Sequence, residues 1–264
     1  MCLLAKVPLL TSLLDLVPCL GSSIATAVSR ANNTAGVLRR IQVSSRDPDR
    51  VYKKLKETLP QDHLLPPVSV DVTKRDTLTH AFDNADAVVS LVGILHGSPA
   101  QFEAIQWRGA ENVALAAAAV GAKLVHISAI GADPSSKIPY ARTKALGEEA
   151  VLSHCPNATI IRPSLIFGPG DGFFNVGILS PCSSPDHFLT LLYWQRFAQL
   201  SRYLPVLPVF GNGATRFQPV YVGDVGRLVE ILTRDNSDLS VATNGKMIEA
   251  GGPDSECSDS ALIG

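Results

Sequence analysis

The chain reads as an α/β protein built on a doubly wound parallel sheet, and two observations predict it. Short apolar runs alternate with helical patterns over residues 41–161, the sequence form of repeated strand–helix–strand units. One of these runs, Ala87–Val92, is almost continuously apolar, as a strand covered by helices on both faces requires. The 264 residues, 46% hydrophobic and 18% charged, suit one large domain or a domain with an appendage, and they exclude a disordered or low-complexity polymer.

The elements follow in order. Leu3–Leu20 is apolar but broken by Lys6, Pro8, Asp15 and Pro18. Crossing a bilayer takes about 20 clean apolar residues, so no transmembrane span is expected and the stretch reads as a buried segment. A signal or anchor is the lesser alternative: Lys6 is a meagre basic start, although Gly21-Ser22-Ser23 are small. No Arg-rich transit peptide is visible, and the proline-broken pattern lacks the clean period of a membrane-surface helix. Ile41–Ser45 reads as a strand and Pro48–Leu59 as a helix. Val68–Val72 is a strand, Thr77–Asp83 a short helix and Ala87–Val92 a strand. Ile105–Val120 is an alanine-rich helix closed by Gly121 at the C-cap position. Lys123–Ser128 is a strand, Ala141–His154 a helix, and Thr159–Ile161 a strand stopped by Arg162-Pro163. In such sheets ligands sit at the carboxyl ends of the strands.

Charge and cysteine usage remove several classes. A formal net charge of −1 lacks the basic bias of a general nucleic-acid binder, so no nucleic-acid partner is expected. Cys2, Cys19, Cys155, Cys182 and Cys257 are scattered and odd in number, with no metal-ligand spacing, so neither a disulfide framework nor a metal site is expected.

The chemistry-bearing motif is Tyr140-Ala-Arg-Thr-Lys144. Spacing of four puts both side chains on one helix face, about 5–6 Å apart at Cβ. An ammonium beside a phenol favours the phenolate, so this tyrosine could exchange a proton with a carbonyl or alcohol, and the lysine could hold a ribose hydroxyl. Ser128 ends the preceding strand, where a hydroxyl could polarise a carbonyl. The plain alternatives are a tyrosine at a helix start, a solvated lysine and a satisfied loop serine.

Two further stretches, Ile161-Arg-Pro-Ser-Leu-Ile-Phe-Gly-Pro-Gly-Asp171 and Phe217-Gln-Pro-Val-Tyr-Val-Gly-Asp-Val225, join Tyr140/Lys144 in a pattern that resembles the extended and atypical short-chain dehydrogenase/reductases. Ala87–Val120 and His126-Ile-Ser-Ala-Ile-Gly-Ala-Asp133 are similar to one branch of them. That branch holds the 39-kDa-type accessory subunit of mitochondrial complex I and relatives linked to ubiquinone synthesis. The resemblance covers roughly Gly21 to Pro253. It implies a Rossmann-like, NAD(P)-binding fold, a mitochondrial location, and respiratory or quinone-synthesis subunits as partners.

It also implies site residues. The family's first strand–helix turn is a GGxGFLG loop that admits pyrophosphate to a helix N-terminus. The matching stretch here is Asp15-Leu-Val-Pro-Cys-Leu-Gly21-Ser-Ser-Ile. Only Gly21 survives; Pro18 stands at a glycine position and Asp15 brings negative charge. Arg46 is placed to meet an adenosine 2′-phosphate, favouring NADP(H) over NAD(H), unless it is simply a solvated loop arginine. Asp71 and Val72 match the adenine edge, Leu91, Val92 and Gly93 the turn over the adenosine ribose, and Pro163 and Ser164 the nicotinamide border. Ser128, Tyr140 and Lys144 match the catalytic positions.

The same comparison divides the chain into an atypical apolar segment (1–20), an NAD(P)-binding domain (21–175), an insert (176–195) and a cap remnant with the last sheet strand (196–264). The insert interrupts a run that should join Phe173-Phe-Asn175 to Arg196. It could be translated from sixty nucleotides beginning GT and ending AG, so a retained intron is the expectation, against a family-specific loop. After Lys246–Pro253 the chain turns polar, without the family's further cap helices. Two readings remain. In one the protein is a non-catalytic, NADPH-holding accessory or assembly subunit of mitochondrial complex I or ubiquinone synthesis, as the broken loop and short cap favour. In the other it is an NADPH-dependent reductase acting on a carbonyl through Tyr140 and Lys144.

Overall fold

The computed structural model describes residues 9–13, 18–35, 38–169, 216–234, 238–253 and 256–257. Its centre is a seven-stranded sheet, parallel throughout. The strands are β1 (Leu9–Leu13), β2 (Arg40–Ser45), β3 (Val68–Ser69), β4 (Ala87–Ser90), β5 (Lys123–Ile127), β6 (Thr159–Pro163) and β10 (Met247–Ala250). Their spatial order is β10-β6-β5-β4-β1-β2-β3. The order therefore reverses between β1 and β4, and in sheets of this kind ligands bind at the carboxyl ends of the strands beside such a reversal.

β1 lies inside residues 1–20, the segment set apart on sequence. Leu10 pairs with Ile41 on one side and Ala87 on the other. The loop that follows it, including Asp15, and the insert at 176–195 lie outside the described residues. Helix α1 (Pro18–Ala35) opens on Pro18, the position where a proline's missing N–H costs nothing. Gly21 falls in its first turn.

Two helical layers sandwich the sheet. On one face α1 packs against α7 (Val222–Leu232) and α2 (Pro48–Thr58), over a core that includes Ile24, Val28, Ile41, Val43, Val89, Val125 and Val229. On the other, α5 (Arg108–Val120) packs against α6 (Pro139–His154) and α3 (Arg75–Ala81), over Val88, Val92, Leu124, Val113 and Ala117. Burial on both faces is why the stretch holding β4 reads as an apolar run, all four strand residues being buried.

Several elements differ from the sequence reading in their limits. The alanine-rich helix begins earlier, with α4 (Pro99–Phe102) entering through a Ser98/Gln101 capping box and passing through a π-helical turn (Glu103–Trp107) into α5. Gly121 is its left-handed C-cap, at φ 69°. β6 runs through Arg162 and Pro163 rather than stopping before them, because β10 supplies partners: Glu249 faces Arg162 and Ala250 faces Pro163. Outside the main sheet, β7 (Ile166–Phe167) pairs with β9 (Val220–Tyr221), and β8 (Arg216–Phe217) with β11 (Glu256–Cys257).

Small residues let α5 and α6 approach closely. A Cβ on Gly147 would stand 2.6 Å from the backbone oxygen of Gln106. Helix propensity alone favours Gly147→Ala by about 1 kcal/mol. The obstruction is backbone and cannot rotate away, so overpacking prevails and a net loss of about 1–3 kcal/mol is expected. Chemical denaturation checks this; a variant as stable as the wild type would refute the close-packing argument.

Candidate functional site

β2 and β3 end beside one another, and the residues just past them form a cleft. Arg46, Asp71, Val72, Thr73 and Ile105 line about 180 Å³. Three of these, Arg46, Asp71 and Val72, were singled out on sequence, and the fold brings them together. The Asp71 carboxylate accepts hydrogen bonds from the Thr73 hydroxyl (2.7 Å) and the Thr73 amide (3.0 Å). Those bonds, the hydroxyl's first, hold its pKa low against the opposing effect of burial, with help from the charges of Lys74 and Arg46. The cleft thus presents a carboxylate that stays ionised beside an exposed guanidinium. The Val72 carbonyl is occupied, accepting from Asn112 Nδ2 at 2.9 Å.

The second group gathers at the ends of β4 and β5. Leu91, Val92 and Gly93 follow β4 and are buried. Lys144, on α6, is 4% exposed. Its Nζ donates to the carbonyl of Val92 (2.8 Å) and the carbonyl of Ile127 (3.0 Å). A Cβ at Gly93 would lie 3.2 Å from that nitrogen and 3.6 Å from Gln106 Oε1, so Gly93 is the residue that leaves room for both. Burial pushes the Lys144 pKa down to about 8, while the Glu148 carboxylate acts in the opposite sense.

Tyr140 departs from the sequence expectation. Its phenol is pushed up by burial, with no lowering by Lys144. The physical reason is direction: the ammonium is turned inward onto two strand-end carbonyls, while the tyrosine ring stands edge-on to Phe102, with centroids 6.4 Å apart. Sharing a helix face set the spacing, but the tertiary contacts chose the partners.

Ser128 follows β5 and is buried, its amide donating to the Ile161 carbonyl at 2.7 Å. Its Oγ has no hydrogen-bond partner among the described residues. A buried hydroxyl without a partner costs free energy. Ser128→Ala is therefore expected to leave stability within about 1 kcal/mol of the wild type or raise it, as thermal unfolding would show; a larger loss would mean the hydroxyl is paired. Pro163 and Ser164 close the far side: the Pro163 carbonyl accepts from the Ile130 amide (3.0 Å) and the Ser164 amide donates to the Ala250 carbonyl (2.9 Å).

Sequence reasoning missed the buried polar residues around Lys144. Gln106 is fully buried, its Nε2 3.4 Å from Thr143 Oγ1 and its Oε1 without a hydrogen-bond partner among the described residues. His126 is fully buried on β5, its Nδ1 3.0 Å from Ser90 Oγ and its Nε2 without a partner among the described residues. Burial and then the Lys144 charge push its pKa to about 3, so the ring is neutral. The signal was a polar residue inside an apolar run, in Ile105-Gln106-Trp107 and in Val125-His126-Ile127. Glu148 and Arg162 form a two-pronged ion pair (2.9 and 2.6 Å) one turn beyond Lys144.

The residues fit a dinucleotide: a cleft with a cation and an anion at one end, a glycine making room beside a buried ammonium, and an unpartnered hydroxyl at the other end. A doubly wound sheet with such groups at its carboxyl edge defines a dinucleotide-binding class of fold. Residues 19–242 match the NAD dependent epimerase/dehydratase family. The chain belongs to that family.

Among curated proteins it is 32% identical over 191 residues to NADH dehydrogenase (ubiquinone) 1 alpha subcomplex subunit 9, mitochondrial, of Arabidopsis thaliana. That match takes in 71% of this chain and 42% of the relative. It is 28% identical over 176 residues to the mitochondrial NADH-ubiquinone oxidoreductase 40 kDa subunit of Neurospora crassa, covering 66% of this chain and 40% of that one. The chain thus spans about two-fifths of the length of these relatives. Among solved structures, dTDP-glucose 4,6-dehydratase of Streptomyces venezuelae superposes with a TM-score of 0.69 at 17% identity, over 97% of this chain and 79% of that one. A short-chain dehydrogenase/reductase superfamily protein of Agrobacterium tumefaciens with bound NAD gives 0.61 at 19%, over 97% and 81%. Among the described residues no helix is long and apolar enough to cross a membrane.

Proposed function

We propose that this protein is a non-catalytic, NADPH-holding accessory or assembly subunit, mitochondrial, of complex I or of ubiquinone synthesis. Arg46, Asp71 and Val72 would hold the adenosine end with its 2′-phosphate, Gly21 the start of α1 beneath the pyrophosphate, and Leu91 to Gly93 with Lys144 the riboses. Pro163 and Ser164 would border the nicotinamide. The dinucleotide, when bound, brings hydride-transfer chemistry to that border. The observation that carries the non-catalytic reading is Lys144: its ammonium is engaged by Val92 and Ile127 and leaves the Tyr140 phenol unactivated. The relatives named as mitochondrial subunits of NADH dehydrogenase (ubiquinone) and NADH-ubiquinone oxidoreductase support the assembly and the compartment.

One observation favours a second reading, a carbonyl reductase. The Ser128 hydroxyl is buried and has no partner among the described residues, as a group meant to orient a carbonyl would be. Tyr140, kept protonated by burial, would then donate its proton to the carbonyl oxygen.

The test is to purify the chain, denature it and measure released nucleotide by liquid chromatography and mass spectrometry. Near one equivalent of NADPH, with no NADPH oxidation across a panel of carbonyl compounds, is the expected result. No nucleotide even after incubation with excess NADPH would remove both readings; turnover would select the second. For specificity, Arg46→Ala is expected to weaken NADPH about tenfold while leaving NADH nearly unchanged, because only the former carries the phosphate that a guanidinium grips. Titration calorimetry distinguishes these, and equal losses for both nucleotides would show that Arg46 reads no phosphate.

A further inference from the structure

The turn that leads into β10 carries the pair Asn244-Gly245. Both residues are exposed, and they follow a short helix, α8 (Asp238–Ala242). Gly245 is left-handed, at φ 69°, and a Cβ there would stand 2.7 Å from the backbone oxygen of Pro156, so the fold requires glycine at this position. The neighbouring amides are held: Thr243 donates to the Leu239 carbonyl (3.1 Å), Asn244 to the Val241 carbonyl (3.3 Å) and Lys246 to the Thr243 carbonyl (3.1 Å). The Gly245 amide has no acceptor among the described residues. On either side of the pair the turn is tied to the start of β6. The Thr243 carbonyl accepts from Thr159 Oγ1 (3.1 Å), and the Lys246 carbonyl accepts from the Ile160 amide (2.9 Å).

We propose that Asn244 is a site of spontaneous covalent modification, deamidation through attack by the Gly245 nitrogen, and that its isoaspartyl product unseats the start of β10. Base removes the Gly245 amide proton; the nitrogen forms a bond to Asn244 Cγ, and the side-chain nitrogen leaves as ammonia. Water then opens the resulting five-membered imide. Opening at Cγ gives aspartate, and opening at the main-chain carbonyl gives isoaspartate. The net change is one amide and one water converted to one carboxylic acid and ammonia, with nothing oxidised or reduced. The geometry supplies what the step needs: an exposed side-chain amide, an attacking nitrogen engaged by no neighbour among the described residues, and no Cβ on the attacking residue to obstruct it. The glycine that the close approach to Pro156 demands is therefore the one that leaves Asn244 open to attack. Isoaspartate inserts one extra backbone carbon between residues 244 and 245. The Thr243 and Lys246 carbonyls bracket that position, so the lengthened turn cannot keep both bonds to β6. β10 is an edge strand with β6 as its one sheet neighbour, and no second strand holds it in register.

The experiment ages the full chain in mildly alkaline buffer, folded and in denaturant, and follows residue 244 by peptide mapping. Fragmentation separates it from Asn236, and the map from Asn212-Gly213, the other such pair in the sequence. In the folded protein Asn244 is expected to convert to isoaspartate and aspartate, faster at higher pH, and ahead of Asn84 and Asn157, which are exposed but followed by alanine. If the turn had to unfold globally first, conversion would lag the denatured chain by about 10³-fold or more. A folded rate within about a hundredfold of the denatured one is expected, because the site is reactive as folded; a slower one overturns the proposal. Asn244→Ala, at a position without a positive φ, should fold and lose the modification. For the second part, deamidated protein collected by ion exchange is compared with Asn244→Asp, which carries the same charge without the extra backbone carbon. The Ile160 amide should exchange its hydrogen about tenfold faster or more in the former. Equal exchange in the two would overturn the unseating of β10.

Discussion

Glu230→Ala is expected to cost about 3–5 kcal/mol of folding stability, the range for removing one partner of a buried ion pair. Glu230 sits on α7 with its side chain 3% exposed, and Arg39, just before β2, is 11% exposed. The carboxylate accepts from Arg39 Nη2, and from Arg234 Nε and Nη2 at 2.9 and 2.8 Å. Arg39 also donates to the Glu230 backbone oxygen at 3.3 Å. Alanine would leave the Arg39 guanidinium largely buried without its anion, and would unpin α7 from the entry to β2. Denaturant unfolding checks this, and a cost below about 1 kcal/mol would show that water reaches the pair and screens it.

The pH dependence gives a second measure of that cluster. Burial alone would raise the Glu230 carboxyl, but the hydrogen bonds from Arg234 and Arg39 outweigh it, and its pKa lies below the ordinary value of 4.5. For a carboxyl held low in the folded state, the stabilisation is complete above the unfolded value and is lost as pH falls through the folded one. Wild-type stability should therefore decline below about pH 4.5 more steeply than that of Glu230→Gln.

Lys144→Met is the second large effect, and its signature lies at the opposite end of the pH scale. The lysine moves from 10.5 in the unfolded chain to about 8 when buried. Between these values the unfolded state binds more protons than the folded one, so stability rises with pH there. At neutral pH the charged lysine costs about 3 kcal/mol relative to its neutral form, by linkage, and the two carbonyl hydrogen bonds offset part of this. Methionine removes the titration and leaves two buried carbonyls without donors, at about 1–3 kcal/mol each. The wild type should therefore gain about 2 kcal/mol over Lys144→Met between pH 7 and pH 9.5. Tyr140 does not blur the window, because burial moves its phenol upward and out of it. A stability difference that stays constant with pH would mean that Lys144 is solvated in the native state.

The two predictions fall on opposite sides of what could be read from the chain beforehand. Arg46, Asp71 and Val72 were legible because each follows a strand, and a parallel sheet delivers strand ends to one edge. Their meeting in a single cleft follows from the strand order, which sets β2 beside β3. Gly121 was legible because a left-handed C-cap is a local matter. The surroundings of Lys144 were not. Its carbonyl partners, Val92 and Ile127, are 52 and 17 residues away. A four-residue spacing suggested a phenol–ammonium couple, and the fold instead turned the ammonium into the sheet. Glu230 looked like any helix glutamate until α7 met the start of β2, 191 residues earlier.

What the sequence by itself determined was the set of local periods: apolar runs short enough for strands, helices with capped ends, and hence an α/β sheet with its functional groups along one edge. Tertiary structure alone decided which way the charged side chains face. That decision depends on desolvation and on donors and acceptors brought from distant segments, and no local pattern encodes either. The apolar stretch Leu3–Leu20 shows the same division: its composition marked it for burial, but only pairing with β2 and β4 made Leu9–Leu13 the strand on which the order of the sheet turns.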